Sequence, residues 1–112
     1  MAGKFEIKKA SNGEFFFNLL ASNGQIILSS EMYKAKASAN NGIESVRSNS
    51  GDDNRYLREV SSSGKPYFCL KARNGEVIGR SQMYASEESR DNGIVSVVNH
   101  APSAVVSDLT LA

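Results

Sequence analysis

The sequence predicts an α+β fold: tandem β-β-β-α-(β) repeats forming one antiparallel-rich sheet, with two helices packed on one face and a pseudo-two-fold axis between the halves. Three observations lead there. The run from Phe17 to Val46 reappears from Phe68 to Val97 at a constant offset of 51, so both halves build the same supersecondary unit. Each half opens with short alternating or aromatic-rich segments separated by turn residues, which is strand chemistry. Each then switches to a helical period. Matched identities include Phe17/Phe68, Leu19/Leu70, Ile27/Ile78, Met32/Met83, Tyr33/Tyr84, Gly42/Gly93, Ile43/Ile94 and Val46/Val97.

Residues 4–9 (KFEIKK) alternate apolar and charged side chains, the pattern of a half-buried strand. Ser11-Asn12-Gly13 turns the chain into residues 15–21 (FFFNLLA), a strand with Phe15, Phe17, Leu19 and Ala21 on one face. Ser22-Asn23-Gly24 predicts a hairpin in which Asn23 and Gly24 both take positive φ in a type I′ turn. Residues 25–29 return as a third strand. From Tyr33 onward, Ala35, Ala39, Gly42, Ile43 and Val46 form one helical stripe. Asn41-Gly42 could also end a shorter helix, but Ile43 and Val46 stay in phase with Ala35 and Ala39, which favours a continuous helix. Gly42 on the buried stripe would then let that helix lie close to the sheet.

Residues 48–54 (SNSGDDN) form a polar linker, and the plan repeats. Residues 55–60, 66–72 and 76–80 are strands, with turns at Ser61–Lys65 and Arg73-Asn74-Gly75. Ser86 caps the second helix, with Glu87 and Glu88 complementing its dipole. Residues 104–111 (AVVSDLTL) alternate as a closing strand with no obvious counterpart in the first half. The expected organisation is a single domain over 1–112, with repeat one at 1–50 and repeat two at 51–112. The expected core holds Phe5, Ile7, Phe17, Leu19, Ile43, Val46, Phe68, Leu70, Ile94 and Val97. At roughly 50 residues neither half would bury enough surface alone, so the two must share one interior.

Composition narrows function more than it names it. With 112 residues, 40% hydrophobic, 22% charged and a net charge of +1, the chain reads as an ordinary globular protein. Near-neutrality argues against dedicated nucleic-acid binding. The lone Cys69 forbids an internal disulfide and suits a reducing compartment. The first residues lack the character of a signal peptide, and no apolar run is long enough to span a bilayer. Cytoplasmic residence, with no membrane association, is the expectation, as a monomer that is internally a pseudo-dimer.

No catalytic residue, cofactor or metal site is predicted. His100, the only histidine, suits the end of the second helix, and no acid or glycine-rich elbow accompanies a Cys69–His100 pair. One Cys and one His cannot build a zinc site, and Asp52-Asp53-Asn54 lacks the ligand spacing of a calcium loop. The five Asn-Gly steps fit no phosphate-loop pattern.

Two groups of candidate site residues remain. The Met32-Tyr33 and Met83-Tyr84 pairs join strand to helix, where they either plug the corners or line symmetry-related corner pockets. The sheet face away from the helices would carry Phe16, Leu20, Ile26 and Leu28 in the first half and Tyr67 and Lys71 in the second. An apolar patch there would mark a contact surface, unless a bulge swaps the faces or self-association buries it. The leading expectation is a non-enzymatic interaction module binding a partner of unknown identity, with a protein as the first candidate, through this outer face. The alternative is single-stranded nucleic-acid binding, with Phe16 and Tyr67 as stacking platforms among Lys8, Lys71 and Arg80.

The blocks NGQIILSSEMYKAKASANNGIESV and SGKPYFCLKARNGEVIGRSQMYASEESRDNGIVSVVNHAPSA, with the ending NHAPSAVVSDLT, resemble the YegP-like family of small, uncharacterised bacterial proteins. The resemblance covers nearly the whole chain. It implies a tandem β-β-β-α-β unit with one sheet, helices against it, and closing strands exchanged between units. It carries no activity, substrate or catalytic residue.

Overall fold

The structure, a computed structural model, describes residues 3–111. Seven strands and two helices follow in chain order: β1 (Lys4–Lys9), β2 (Phe15–Leu20), β3 (Ile26–Ser29), α1 (Lys36–Asn49), β4 (Tyr56–Val60), β5 (Pro66–Lys71), β6 (Val77–Arg80), α2 (Glu87–His100) and β7 (Val105–Asp108). One sheet contains them all, in the order β4-β5-β6-β3-β2-β1-β7. Every neighbouring pair is antiparallel except β1 and β7, which run parallel.

The hairpins differ from the type I′ expectation. No described residue other than glycine has positive φ; Gly24 and Gly75 do, at 86° and 90°. Gly24 N–H donates to the Ala21 carbonyl, and Ala21 N–H to that of Gln25, the pattern of a type I turn closed by a left-handed glycine. Asn23 contributes its side chain rather than its backbone, accepting from Gln25 N–H at 3.0 Å. Arg55 belongs to a 3-10 turn (Asp53–Arg55), so the second half's first strand starts one residue later than expected. The closing strand stops at Asp108, whose carboxylate turns the chain by accepting from Thr110 N–H.

Both helices run unbroken through their glycines. Ser86 caps α2, accepting from Ser89 N–H, whereas α1 starts at Ala35 with no side-chain cap. The helices cover one face of the sheet and sit astride both halves: α1 packs on β2 and reaches β5 and β6, while α2 packs on β5 and reaches β3. All ten expected core residues are buried, Phe5, Phe17, Leu19, Phe68 and Leu70 completely.

The pseudo-two-fold axis passes between β3 and β6 at the Ser29–Arg80 pair, whose members are themselves separated by the repeat offset (80 − 29 = 51). Symmetry breaks beside it. Leu28 is completely buried, and a Cβ on its counterpart Gly79 would lie 2.7 Å from the Leu28 side chain. Only one large residue fits near the axis.

The closing strand is held by the other repeat's helix. Arg47 in the last turn of α1 donates to the Pro102 carbonyl at 3.2 Å, ahead of β7, and stacks 5.3 Å from the Phe5 ring centroid. Lys36 in the first turn of α1 pairs with Asp108 at 3.0 Å, at the end of β7. The two sheet edges are treated differently. At β4, Arg58 stands where β1 has Ile7 and bonds Asp53 and Asp91 at 2.9 and 3.5 Å, and such a charge on an edge strand discourages edge pairing.

Two outcomes test this arrangement. Gly79→Leu alone should cost about 1–3 kcal/mol through overpacking, and Leu28→Gly alone about 2–5 kcal/mol. The double exchange should recover more than half of the summed loss in urea melts, because the axis interchanges the two sites. Independent, additive losses would contradict the pseudo-dyad. The second outcome concerns acid. Thr110 hydrogen bonds, then Lys36, hold the Asp108 carboxyl down at about 2. A depressed carboxyl pKa adds stability that is full above the unfolded value near 4 and lost as pH falls through 2. Thr110→Val/Lys36→Met should therefore flatten the pH dependence of stability in that window; an unchanged acid profile would refute the clasp.

Candidate functional site

The helix-free face of the sheet is where chemistry is exposed. One row of side chains crosses it strand by strand: Ser107, Glu6, Asn18, Ser29, Arg80, Cys69 and Leu57. These alternate with Phe17, Leu19, Phe68 and Leu70, which point at the helices.

The expected surface is partly rearranged. Leu28 does not belong to it. The ladder pairs Leu19 with Leu28 and Leu20 with Ile26, so Ile27 is an extra bulged residue. The bulge returns Leu28 to the helix face, where it is completely buried. The same shift between Leu70 and Lys71 puts Gly79 on that face. Period-two counting cannot register an inserted residue within QIILS. Leu20 does lie on the outer face but is only 8% exposed, and Ile26 beside it is 45% exposed. Phe16, Tyr67 and Lys71 are half-buried there. Asn18 and Cys69, matched by the repeat, form a buried floor on either side of the axis.

The Met-Tyr corners are filled. Tyr33 bridges to Phe15 through two 2.7 Å backbone hydrogen bonds, and its ring stacks on Phe17 at 6.3 Å and 10°. Tyr84 repeats this on Phe68 at 6.4 Å and 11°. Their hydroxyls occupy the space over the helix glycines: a Cβ on Gly42 would meet the Tyr33 hydroxyl at 2.5 Å, and one on Gly93 would collide with Tyr84. Burial raises both phenol pKa values, with Glu31 and Glu76 adding at Tyr33. Met32 and Met83 project outward, about half exposed.

A cleft of about 430 Å3 opens on the pseudo-dyad, lined by Ile26, Ser29, Ser30, Glu31, Arg80, Ser81 and Gln82. Six of these are three repeat-matched pairs: Ser29/Arg80, Ser30/Ser81 and Glu31/Gln82. Ser30 and Ser81 act alike, each accepting from the backbone N–H of Phe17 or Phe68 and donating to the next carbonyl. The other pairs differ, leaving one guanidinium and one carboxylate. The Arg80 guanidinium lies 5.9 Å from the Tyr67 ring centroid; its pKa is raised, first by the Cys69 side chain and further by Glu31. Sequence reasoning placed Arg80 on this face but did not assemble the cleft, because no local pattern reveals which strand ends meet at the axis.

The two faces have fared differently between the repeats. Helix-face pairs are largely identical: Phe17/Phe68, Leu19/Leu70, Ala21/Ala72, Ile43/Ile94, Val46/Val97. Among the exceptions, Leu28/Gly79 lies beside the axis, Phe5/Tyr56 and Ile7/Arg58 lie along β1 and β4, where only β1 is covered by β7, Phe15/Pro66 opens β2 and β5, and Ala39/Arg90 lies on the buried stripe of the helices. On the outer face no matched pair is identical: Glu6/Leu57, Lys8/Glu59, Phe16/Tyr67, Asn18/Cys69, Leu20/Lys71, Ser29/Arg80.

Elsewhere, His100 Nδ1 lies 2.8 Å from the Ser96 carbonyl of its own helix. Among the described residues, no three His, Cys, Asp or Glu side chains gather as metal ligands, and no helix is long and apolar enough to cross a membrane.

This architecture defines a tandem-repeat α+β protein with one helix-covered and one open sheet face. The chain belongs to the family described as Domain of unknown function (DUF1508), whose family model matches it twice, over residues 10–56 and 61–108. It is 60% identical to a UPF0339 protein of Acinetobacter baylyi over 98% of this chain and 99% of the relative. It is 55% identical to the UPF0339 protein YegP of Yersinia pestis, covering 97% of each. The solution NMR structure of YegP from E. coli superposes with a TM-score of 0.93 at 51% identity, covering 97% of this chain and 94% of that one. That of a UPF0339 protein from Shewanella oneidensis gives 0.92 at 50% identity, covering 97% and 92%. These are bacterial proteins of unknown function, and their names indicate no catalytic activity.

The helix glycine yields a direct test. Alanine ordinarily favours a helix over glycine by about 1 kcal/mol. Gly42→Ala should nevertheless destabilise the fold by about 1–3 kcal/mol through overpacking against Tyr33 and Phe17, and Tyr33→Phe should restore part of the loss. A gain in stability on Gly42→Ala would refute the close approach.

Proposed function

We propose that this protein is a non-enzymatic binding module, monomeric and cytoplasmic, that holds an acidic segment of a partner protein on its helix-free sheet face. The observation that carries this reading is the contrast between the faces. Most pairs that build the shared core stay matched, while every outer-face pair compared has departed from its mate. A face whose two halves differ suits a partner without two-fold symmetry. Its cations supply the sign: Lys8, Lys71 and Arg80 have no carboxylate within 4.0 Å among the described residues. Phe16, Ile26 and Tyr67 supply apolar contact beside them, the mixture of aromatic anchor and rim charge that interfaces use. The lone unpaired Cys69 supports a reducing compartment.

Single-stranded nucleic acid is the second reading, motivated by Arg80 stacked near Tyr67 and by Lys8 paired across from Phe16. The net charge of +1 ranks it below protein.

Immobilised wild type and Lys8→Glu/Lys71→Glu should be compared for capture of polypeptides from lysate at low and high salt. Polypeptides held by the wild type and lost on charge reversal, at unchanged melting temperature, are the expected result. Identical capture by both would remove the protein reading. A labelled single-stranded oligonucleotide bound at low salt and released steeply as salt rises would put nucleic acid in its place.

A further inference from the structure

We propose that the cleft on the pseudo-dyad binds a small zwitterion of the amino-acid class, its carboxylate on Arg80, its ammonium on Glu31 and a short apolar group on Ile26. The cavity of about 430 Å3 falls within the roughly 300–1,000 Å3 of small-molecule sites. Its frame is rigid: the Ser30 and Ser81 hydroxyls are each committed to a strand N–H at 2.8 and 2.9 Å and to the following carbonyl.

On that symmetric frame the polar groups are unsymmetrical. Ser29 faces Arg80 across the axis, and Glu31 is matched by Gln82. A seam needing only closure would gain nothing from a guanidinium and a carboxylate at its mouth. Neither charge has an ion-pair partner within 4.0 Å among the described residues. The two line the same cleft, and Glu31 adds, after Cys69 and Tyr67, to the raised pKa of Arg80. A guanidinium over an aromatic ring, as Arg80 is over Tyr67, can still present N–H groups to a carboxylate. A simple anion on Arg80 would be repelled by Glu31, and a simple cation on Glu31 by Arg80. A ligand carrying both charges satisfies both groups. Ile26, 45% exposed at the cleft wall, offers apolar area for a side chain.

This site takes Arg80 and Ile26 in common with the partner surface, but its binding does not require that partner, and Lys8 and Lys71 lie outside the cleft. The test is an amide NMR titration of Ser29, Arg80 and Gln82 with leucine, N-acetyl-leucine and leucinamide at neutral pH, on wild type, Arg80→Gln and Glu31→Gln. Leucine should shift these amides saturably, with each half-blocked compound about tenfold weaker. Arg80→Gln should weaken leucine by about tenfold. Glu31→Gln should erase the difference between leucine and N-acetyl-leucine. No saturable shift with leucine, equal affinity for all three compounds, or leucine binding untouched by Arg80→Gln would overturn the assignment. Lys8→Glu/Lys71→Glu should leave the titration unchanged, which separates this result from the fate of the partner surface.

Discussion

One leucine seated over one glycine closes the seam on which this molecule depends. Each half presents a three-stranded meander and a helix, too small to bury a sufficient core alone. The halves join through β3 and β6, two of the shortest strands in the sheet. At that junction Leu28 fills the space that Gly79 leaves empty. Two leucines would collide there, and two glycines would leave a void in the middle of the interior. The duplicated chain has thus met a requirement of packing that strict repetition would violate.

The second device is the exchanged closing strand. β7 follows α2 in the chain but pairs with β1, and α1 grips it at both ends through Arg47 and Lys36. The sheet of repeat one is therefore completed by a strand of repeat two, and that strand is held by the helix of repeat one. The connection between α1 and β4 is only six residues long, positions 50–55, and passes directly into β4. No chain remains there to cover β4 as β7 covers β1. Arg58, tied to Asp53 and Asp91, stands at that open edge where the covered strand has Ile7.

These constraints explain where the repeats match and where they part. Side chains between sheet and helices must fit a common interior, and they recur: the Tyr33–Phe17–Gly42 corner is rebuilt as Tyr84–Phe68–Gly93 with ring separations within 0.1 Å. The open face carries no such demand. Its chemistry is consequently free to serve binding, and that freedom produces a dyad cleft with one guanidinium and one carboxylate.

Much of this was legible in the amino-acid order, because it rests on local geometry. The offset of 51 announced two like units, alternation marked the strands, and the in-phase Gly42 and Ile43 kept α1 continuous. Ser86 marked the start of α2 through a hydroxyl one turn from the N–H it accepts. What depended on distant partners was not legible. Leu28 changed face because a bulge inserts Ile27 into the ladder, an event defined only by the strand opposite. The Asn-Gly turns took positive φ at glycine alone because the Asn side chain, not its backbone, closes the loop. The cleft needed β3 and β6 to meet end against end, across residues half a chain apart. Periodicity can say which side of its own element a residue occupies; only packing decides what stands beside it.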